Sequence, residues 1–194
     1  MMSNDPGQRL HVALVHHPVV NKIGETIGSA VTNLDLHDIA RTARTYGVAG
    51  YSIITPYSDQ QELVAEILDH WKTGHGAQAN PARKEALECV DIKISLDEAV
   101  DGLQKQYGSK PLLMATSAVP GPKRLGYRET RAKLDKGELI LLLFGTAHGL
   151  AKEVMERVDY LLPPIQPDSD YNHLSVRSAA SIILDRLLGE GRDE

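Results

Sequence analysis

Residues 139–150 read LILLLFGTAHGL, and this stretch decides the fold. Six apolar residues, Leu139 to Phe144, run unbroken into a short loop with a glycine at each end, Gly145 and Gly149, and one imidazole, His148. A strand that is apolar on both faces belongs inside a parallel sheet covered by helices on both sides. A loop so bare of side chains lets a ligand approach the backbone, because glycine has no Cβ to keep it away.

The same alternation of apolar runs and helical patterns extends outward from this strand at 138–144. Strands are expected at 10–16 (LHVALVH), 48–56, 89–94, 111–118 and 158–164, the last broken by Pro163 and Pro164. Helices are expected at 35–47, 58–74, 95–108, 127–136, 150–157 and 173–188. In the first, Leu36, Ile39, Ala40 and Ala43 follow the i, i+3, i+4, i+7 stripe. Ser58 or Asp59 is the expected cap of the second helix. Ser95 and Glu98 have capping-box spacing at the third. Residues 75–88 read as a looser stretch and 119–126 as a loop. Strands alternating with helices imply an α/β chain with a three-layer α/β/α arrangement and a mostly parallel sheet. With no linker or repeat, residues 1–194 count as one domain.

Apolar residues make up 42% and charged residues 24% of the 194, ordinary for a globular chain. The single cysteine, Cys89, excludes an internal disulfide and a multi-cysteine zinc site, and suits a reducing compartment. No stretch reaches the ~20 apolar residues that cross a bilayer. The opening MMSNDPGQR has no apolar signal-peptide core, so a cytoplasmic location is expected. The formal net charge of −5 argues mildly against a dedicated nucleic-acid binder. Locally, Lys123, Arg124, Arg128, Arg131, Lys133 and Lys136 face only Glu129 and Asp135 between Pro122 and Lys136. That run is either a solvated helix face or a polyanion contact.

Ligands of open α/β sheets bind at the carboxyl ends of strands. Three exits are unusually small or polar: Ala115-Thr116-Ser117, Gly145 through Gly149, and Pro163-Pro164-Ile165. Several familiar chemistries are absent. There is no G-x-x-x-x-G-K-[ST] for a phosphate-cradling loop and no H-E-x-x-H for zinc. No G-x-G-x-x-G follows the first strand, and no G-x-S-x-G elbow occurs. His16 and His17, adjacent at a strand end, should point to opposite faces and cannot readily share one metal ion, so no metal is assigned. His70 and His75 flank a helix stop and stay unassigned. His148 and His173 each lie in a loop feeding the presumed crevice. Either could be a neutral imidazole bonded to a backbone carbonyl.

Three segments, TNLDLHDIARTARTYGV (32–48), GTAHGL (145–150) and NHLSVRSAASIILDRL (172–187), carry a resemblance. In that order, the chain resembles the SPOUT superfamily of S-adenosylmethionine-dependent RNA methyltransferases over about residues 9–189, and is similar to its TrmH-like and TrmD-like branches. The resemblance implies a C-terminal trefoil knot, a rare exception to unknotted topology, a homodimer, and a tRNA or rRNA substrate. It implies S-adenosylmethionine held largely by main-chain groups, with Thr116, Ser117, Phe144, Gly145, Thr146, His148, Gly149, Leu162, Ile165, Asn172, His173 and Leu174 as the cofactor set. Asn33 and Arg41 hold the spacing of the first motif. In TrmH-like enzymes the matching arginine comes from the partner subunit and helps activate a ribose 2′-hydroxyl. His37, Arg41 and Arg44 fall in one arc beside the apolar stripe, a position suited to a dimer seam or a groove.

The candidate base is Arg41, Asp170 or His173, and the expected RNA contacts are Asn33, Arg44, Lys123, Arg124, Arg128 and Arg131. The chain also departs from the pattern. Thr146-Ala147 stands where TrmH-like enzymes carry Gly-x-Glu, and His173-Leu174-Ser175 where they carry Asn-Val-Ser. The Asn172-His173 start is closer to TrmD-like enzymes, which methylate N1 of guanine using an aspartate; Asp168 or Asp170 could act that way. The acceptor, ribose 2′-oxygen or guanine N1, is left open. The alternative reading is a cofactor- or RNA-binding module of the same fold without transferase activity. A flavodoxin-like doubly wound protein would instead predict bound flavin and no knot.

Overall fold

A computed structural model describes residues 5–117, 123–165, 171 and 173–190. After a turn of 3-10 helix (Pro6–Arg9) come β1 (Leu10–Val15), β2 (Val19–Val20), β3 (Thr26–Ile27), α1 (Asn33–Thr45) and β4 (Gly50–Ile54). Next are α2 (Ser58–Lys72), α3 (His75–Ala79), α4 (Pro81–Leu87), β5 (Val90–Lys93), α5 (Leu96–Tyr107) and β6 (Leu112–Ala115). The chain continues with α6 (Tyr127–Asp135), β7 (Ile140–Gly145), α7 (Lys152–Arg157), β8 (Tyr160–Leu161) and α8 (Val176–Leu188).

Six strands form one sheet in the order β5-β4-β1-β7-β6-β8, every pair parallel. The unbroken apolar run of β7 lies beside β1 at the centre, Leu10 opposite Ile140 and Val15 opposite Gly145. Alternate residues feed two separate cores. Leu10, Val12 and Leu14 of β1, with Ile140, Leu142 and Phe144 of β7, pack under α1, α2, α4, α6 and α8 through Leu36, Val64, Leu87, Leu134 and Ile183. Ala13, Val15, Leu141 and Leu143 pack on the other face against Leu96, Val100 and Leu103 of α5 and Val154 of α7. Period-two alternation in the strands thus supplies both faces of a three-layer α/β/α domain.

The stripe on α1 is fully buried as expected: Leu36, Ile39, Ala40 and Ala43 have no exposed surface. Ser95 caps α5, its hydroxyl accepting from the Glu98 N–H at 3.2 Å, while the Glu98 carboxylate reaches back to the Ile94 N–H at 2.6 Å. Elsewhere the structure corrects the reading. Residues 75–88, expected to be loose, hold α3 and α4; Asn80 starts α4, its side chain accepting from the Arg83 N–H at 3.0 Å ahead of Pro81. Tyr57 is the cap residue of α2, with no side-chain cap bond, so neither Ser58 nor Asp59 caps it. The strand expected over 158–164 shrinks to Tyr160–Leu161, since two prolines remove the next ladder donors. The tail of the expected loop at 119–126 instead runs beside β8: Leu161 donates to the Lys123 carbonyl and Leu125 donates to the Leu161 carbonyl, at 2.9 and 3.0 Å.

The β2–β3 hairpin is the feature the reading did not foresee. Its turn is built by Asn21, whose side-chain oxygen accepts from the Ile23 and Glu25 N–H groups at 3.0 Å each, and by Gly24 at φ +84°. Two residues per strand are too few for a periodic signal, although Asn21 and Gly24 are turn residues in their own right.

Candidate functional site

The exits of β7, β6 and β8 lie side by side at one end of the sheet. Ala115 pairs with Leu143 on one side and with Leu161 on the other. Beyond the ladder, Thr116 donates its N–H to the Leu143 carbonyl at 3.2 Å, and Leu162 donates to the Ala115 carbonyl at 3.0 Å. The three strand exits singled out in the sequence are therefore neighbours. Phe144 and Leu162 are buried in one core, and Ile165 and Val176 pack against that same core. The segments on either side of 166–172 are thus seated on the sheet face that carries Phe144.

The loop after β7 turns on glycines and on one strained alanine. Gly149 sits at φ +115° and Ala147 at φ +50°. A Cβ on Gly145 would lie 2.9 Å from the Leu150 nitrogen and 3.1 Å from the Gly149 carbonyl carbon, both backbone atoms that cannot swing aside. Irregular loops must satisfy their backbone groups, and here the chain itself does much of it. His148 N–H donates to the Val20 carbonyl at 3.0 Å, Val20 N–H to the Gly149 carbonyl at 2.9 Å, and Gly149 N–H to the Thr146 carbonyl at 3.0 Å. β2 lies along one side of the loop and satisfies its backbone there. The other side stays open, with the Ala147 and His148 side chains exposed and Gly145 and Gly149 only half-buried.

Thr146 points inward rather than toward the open side. Its hydroxyl donates to the Val15 carbonyl at 2.9 Å and is hydrogen-bonded to the Ser29 hydroxyl. Ser29 in turn contacts Nδ1 of His16 at 3.0 Å. His16 is wholly buried. Burial pushes its pKa down to about 4, against weaker raising effects from Asp35 and the Ser29 and Ala30 backbone. The imidazole is neutral at physiological pH.

On the face of Phe144, α1 and α8 run in parallel and meet through polar pairs spaced one turn apart. Arg177 lies 3.2 Å from buried Asp35 and 3.6 Å from Asp38. Thr42 and Ser181 share a hydrogen bond at 3.1 Å, and Tyr46 donates to Asp185 at 2.9 Å. Arg41, exposed, lines the open groove over this seam with Thr45, Ser178 and Ser181. Arg44 does not share that groove: it leaves the arc toward α4 and forms an ion pair with Glu85. His37 turns toward α2, edge-on to Trp71 at 5.6 Å. Asn33 is exposed at the first turn of α1, where Thr32 provides the cap.

The other expected residues fall in three groups. Phe144 and Leu162 have buried side chains, so only their main chain can meet a ligand. Leu162 presents a carbonyl already bonded by the Arg124 guanidinium. Thr116 and Ser117 are half-buried at the end of β6, while His173 and Leu174 are exposed ahead of α8, His173 edge-on to Tyr171 at 5.4 Å. Asp168, Asp170 and Asn172 lie outside the described residues. Among the cations, Lys123 and Arg128 are exposed, whereas Arg131 donates to the Arg186 carbonyl at 2.8 Å. Sequence reasoning missed Ser29, Asp35 and Arg177: Ser29 meets Thr146, and Asp35 and Arg177 meet each other, more than a hundred residues away along the chain.

A doubly covered parallel sheet with a glycine-bounded exit loop, flanked by two further exits and a polar helix seam, is the frame in which the site lies. The SpoU methyltransferase AviRb of Streptomyces viridochromogenes, solved in complex with the cofactor AdoMet, superposes with a TM-score of 0.62 at 15% identity, covering 96% of this chain and 62% of that one. That likeness is one of fold. The profile of a family described as SAM-dependent RNA methyltransferase matches residues 9–189, and the chain belongs to that family.

Two relatives are similar over nearly its whole length. The tRNA (guanine-N(1)-)-methyltransferase of Oleidesulfovibrio alaskensis is 47% identical over 185 residues, 95% of this chain and 43% of that relative. An uncharacterized protein of Aquifex aeolicus is 38% identical over 186 residues, 95% of this chain and 91% of that relative. The chain thus spans less than half the length of the first.

Proposed function

We propose that this chain transfers a methyl group from S-adenosylmethionine to an RNA nucleotide. The observation that carries the reading is the open side of the 145–149 loop, set beside the exits of β6 and β8 in a member of a SAM-dependent RNA methyltransferase family. Gly145 and Gly149 leave main-chain groups uncovered there. The half-buried Thr116 and Ser117, the backbone at Leu162 and Ile165, and the exposed His148, His173 and Leu174 complete a cradle with little side-chain charge. Asn172 belongs to the same proposed set. When bound, the cofactor supplies a methyl group already activated on a sulfonium. The acceptor lone pair forms the new bond to that carbon, the S–C pair returns to sulfur, and the acceptor proton leaves to a base.

What remains for the protein is positioning, which supplies roughly 7–11 kcal/mol in well-oriented reactions. Arg41 in the α1–α8 groove, His173 ahead of α8 and Asp170 are the proposed groups at the acceptor proton. Lys123 and Arg128, exposed at and before the start of α6, suit phosphate contacts, and Asn33, Arg44, Arg124 and Arg131 complete the proposed RNA set. The α1–α8 groove is also the proposed seam of a homodimer. The C-terminal trefoil knot and a cytoplasmic location belong to the same proposal. The name of the O. alaskensis relative supports tRNA as the substrate class, although that name belongs to a protein more than twice as long.

The test is incubation of the purified chain with methyl-labelled cofactor and total RNA, followed by mass spectrometry of nucleosides. Label in RNA is expected, and the modified nucleoside distinguishes 2′-O-methylation from N1-methylguanosine. Cofactor binding by calorimetry with no transfer to any RNA would overturn the enzyme reading in favour of a binding module.

A further inference from the structure

The Thr146, Ser29 and His16 side chains behind the 145–149 loop form one connected chain of hydrogen bonds, whose proton order follows if the Val15 carbonyl is to stay bonded. Thr146 has a single hydroxyl hydrogen, and the 2.9 Å contact to the Val15 carbonyl takes it. The contact between Thr146 and Ser29 must then be donated by Ser29. Ser29, its hydrogen engaged, can only accept at its 3.0 Å contact with His16, so Nδ1 of His16 carries the proton. The competing contact from Ser29 to the His16 carbonyl is longer, at 3.4 Å. The chain of donors therefore runs one way, from His16 to Ser29 to Thr146 to the backbone of β1, and closes across the central strand pair. Among the described residues, Nε2 of His16 has no hydrogen-bond partner and is left as a buried acceptor.

An orphaned acceptor on a wholly buried ring is costly and calls for an explanation. Leucine would fill the interior here without leaving a polar atom unmatched. What an apolar residue cannot do is donate to Ser29. The hydroxyl of Ser29 is held from behind by the ring, and its main chain by the Ser29 N–H bond to the His16 carbonyl at 2.8 Å. Ser29 follows β3, whose partner β2 bonds the Gly149 carbonyl and the His148 N–H. The imidazole thus acts on the loop through the Ser29 and Thr146 hydroxyls, while the main chain of the same residue seats the hairpin.

We infer that His16 is a positioning residue of the cofactor site, acting through Ser29 and Thr146 to hold the main chain of residues 145–149 in the geometry that receives the nucleoside. This rests on the reading that the loop binds S-adenosylmethionine. Nothing in the side chain of His16 touches the open face of the loop, so its effect falls on cofactor affinity and not on the chemical step.

The test is calorimetric titration with S-adenosylmethionine of the full chain, wild type and four variants, with melting temperature measured alongside. In His16→Asn the side-chain N–H stands near the position of Nδ1 and still donates to Ser29; this variant is expected to bind within about twofold of wild type. In His16→Gln the amide reaches the position of Nε2, and in His16→Leu there is no donor; both are expected to bind about tenfold more weakly, the worth of one net hydrogen bond. His11→Leu, at the opposite end of the same strand, controls for stability: it loses the 3.0 Å contact to Tyr107 and lowers the melting temperature without altering affinity. KM for the cofactor should rise in His16→Leu while kcat at saturation holds. If all His16 variants bind like wild type, or if affinity follows melting temperature across the whole set, His11→Leu included, the inference fails. Absence of binding by the wild type would instead sink the cofactor reading itself.

Discussion

Acidification should unfold this protein through two buried histidines. His11 and His16 stand at the two ends of the central strand β1, 7% and 0% exposed. Burial lowers the pKa of each from 6.5 to about 4. Because the folded pKa lies below the unfolded one, the unfolded chain takes up the proton first. Both states are neutral above the unfolded pKa, so no effect is expected there. Stability then falls as pH drops below about 6.5 and levels off once the folded state also protonates, near pH 4. At pH 5 each ring costs about 2 kcal/mol relative to pH 7, and the pair about 4 kcal/mol. A domain of ordinary stability, about 5–15 kcal/mol, would feel that strongly.

The assay is urea unfolding at pH 7 and pH 5, comparing wild type with the double variant His11→Gln, His16→Asn. Each amide keeps the hydrogen bond its imidazole makes, to Tyr107 or to Ser29, but cannot titrate. Wild type should lose several kcal/mol over that interval and the double variant much less. Equal losses in both proteins would show that the acid sensitivity comes from other groups and that the burial argument is wrong.

Three further outcomes are expected. Gly145→Ala drives a Cβ to 2.9 Å from the Leu150 nitrogen and should weaken S-adenosylmethionine binding about tenfold by calorimetry, since the loop backbone must shift; unchanged affinity would exclude the loop from the cofactor site. Arg41→Ala should abolish methyl transfer to RNA in the labelled-cofactor assay while leaving cofactor affinity intact, and a parallel loss of affinity would show that its role has been misplaced. Asp35→Ala leaves Arg177 without its nearest carboxylate and removes a partner of Thr32; a loss of about 1–2 kcal/mol in urea unfolding is expected, and a neutral result would mean that Asp38 alone holds Arg177.

Most of the scaffold was legible because it is written in local periodicity. The six-residue run ending at Phe144 could only be a doubly buried strand, and the stripe from Leu36 to Ala43 could only be one helix face. Ser95 with Glu98 marked a helix start that the structure reproduces. The glycines of the exit loop were visible as glycines, but what lies behind them was not. Ser29 and Thr146 are 117 residues apart, and nothing in either neighbourhood announces the other. The hairpin between them has strands of two residues, below any period. Thr146 looked like part of a ligand-facing surface because its residue type suits one, yet its hydroxyl is turned into the protein. Arg44 shared an arc with Arg41 on a helical projection, but the approach of α4 supplied Glu85 and drew it aside.

The contacts between α1 and α8 have a consequence for assembly of the chain. Asp38, Thr42 and Tyr46 meet Arg177, Ser181 and Asp185 in matched steps of four residues. A purely greasy interface would tolerate a slip by one turn, since one leucine packs much like the next. Here a slip would set Asp38 against Ser181 and Thr42 against Asp185, stranding the guanidinium and leaving the tyrosine hydroxyl unmatched. The teeth of this rack engage at a single setting, so the last helix arrives in register or not at all.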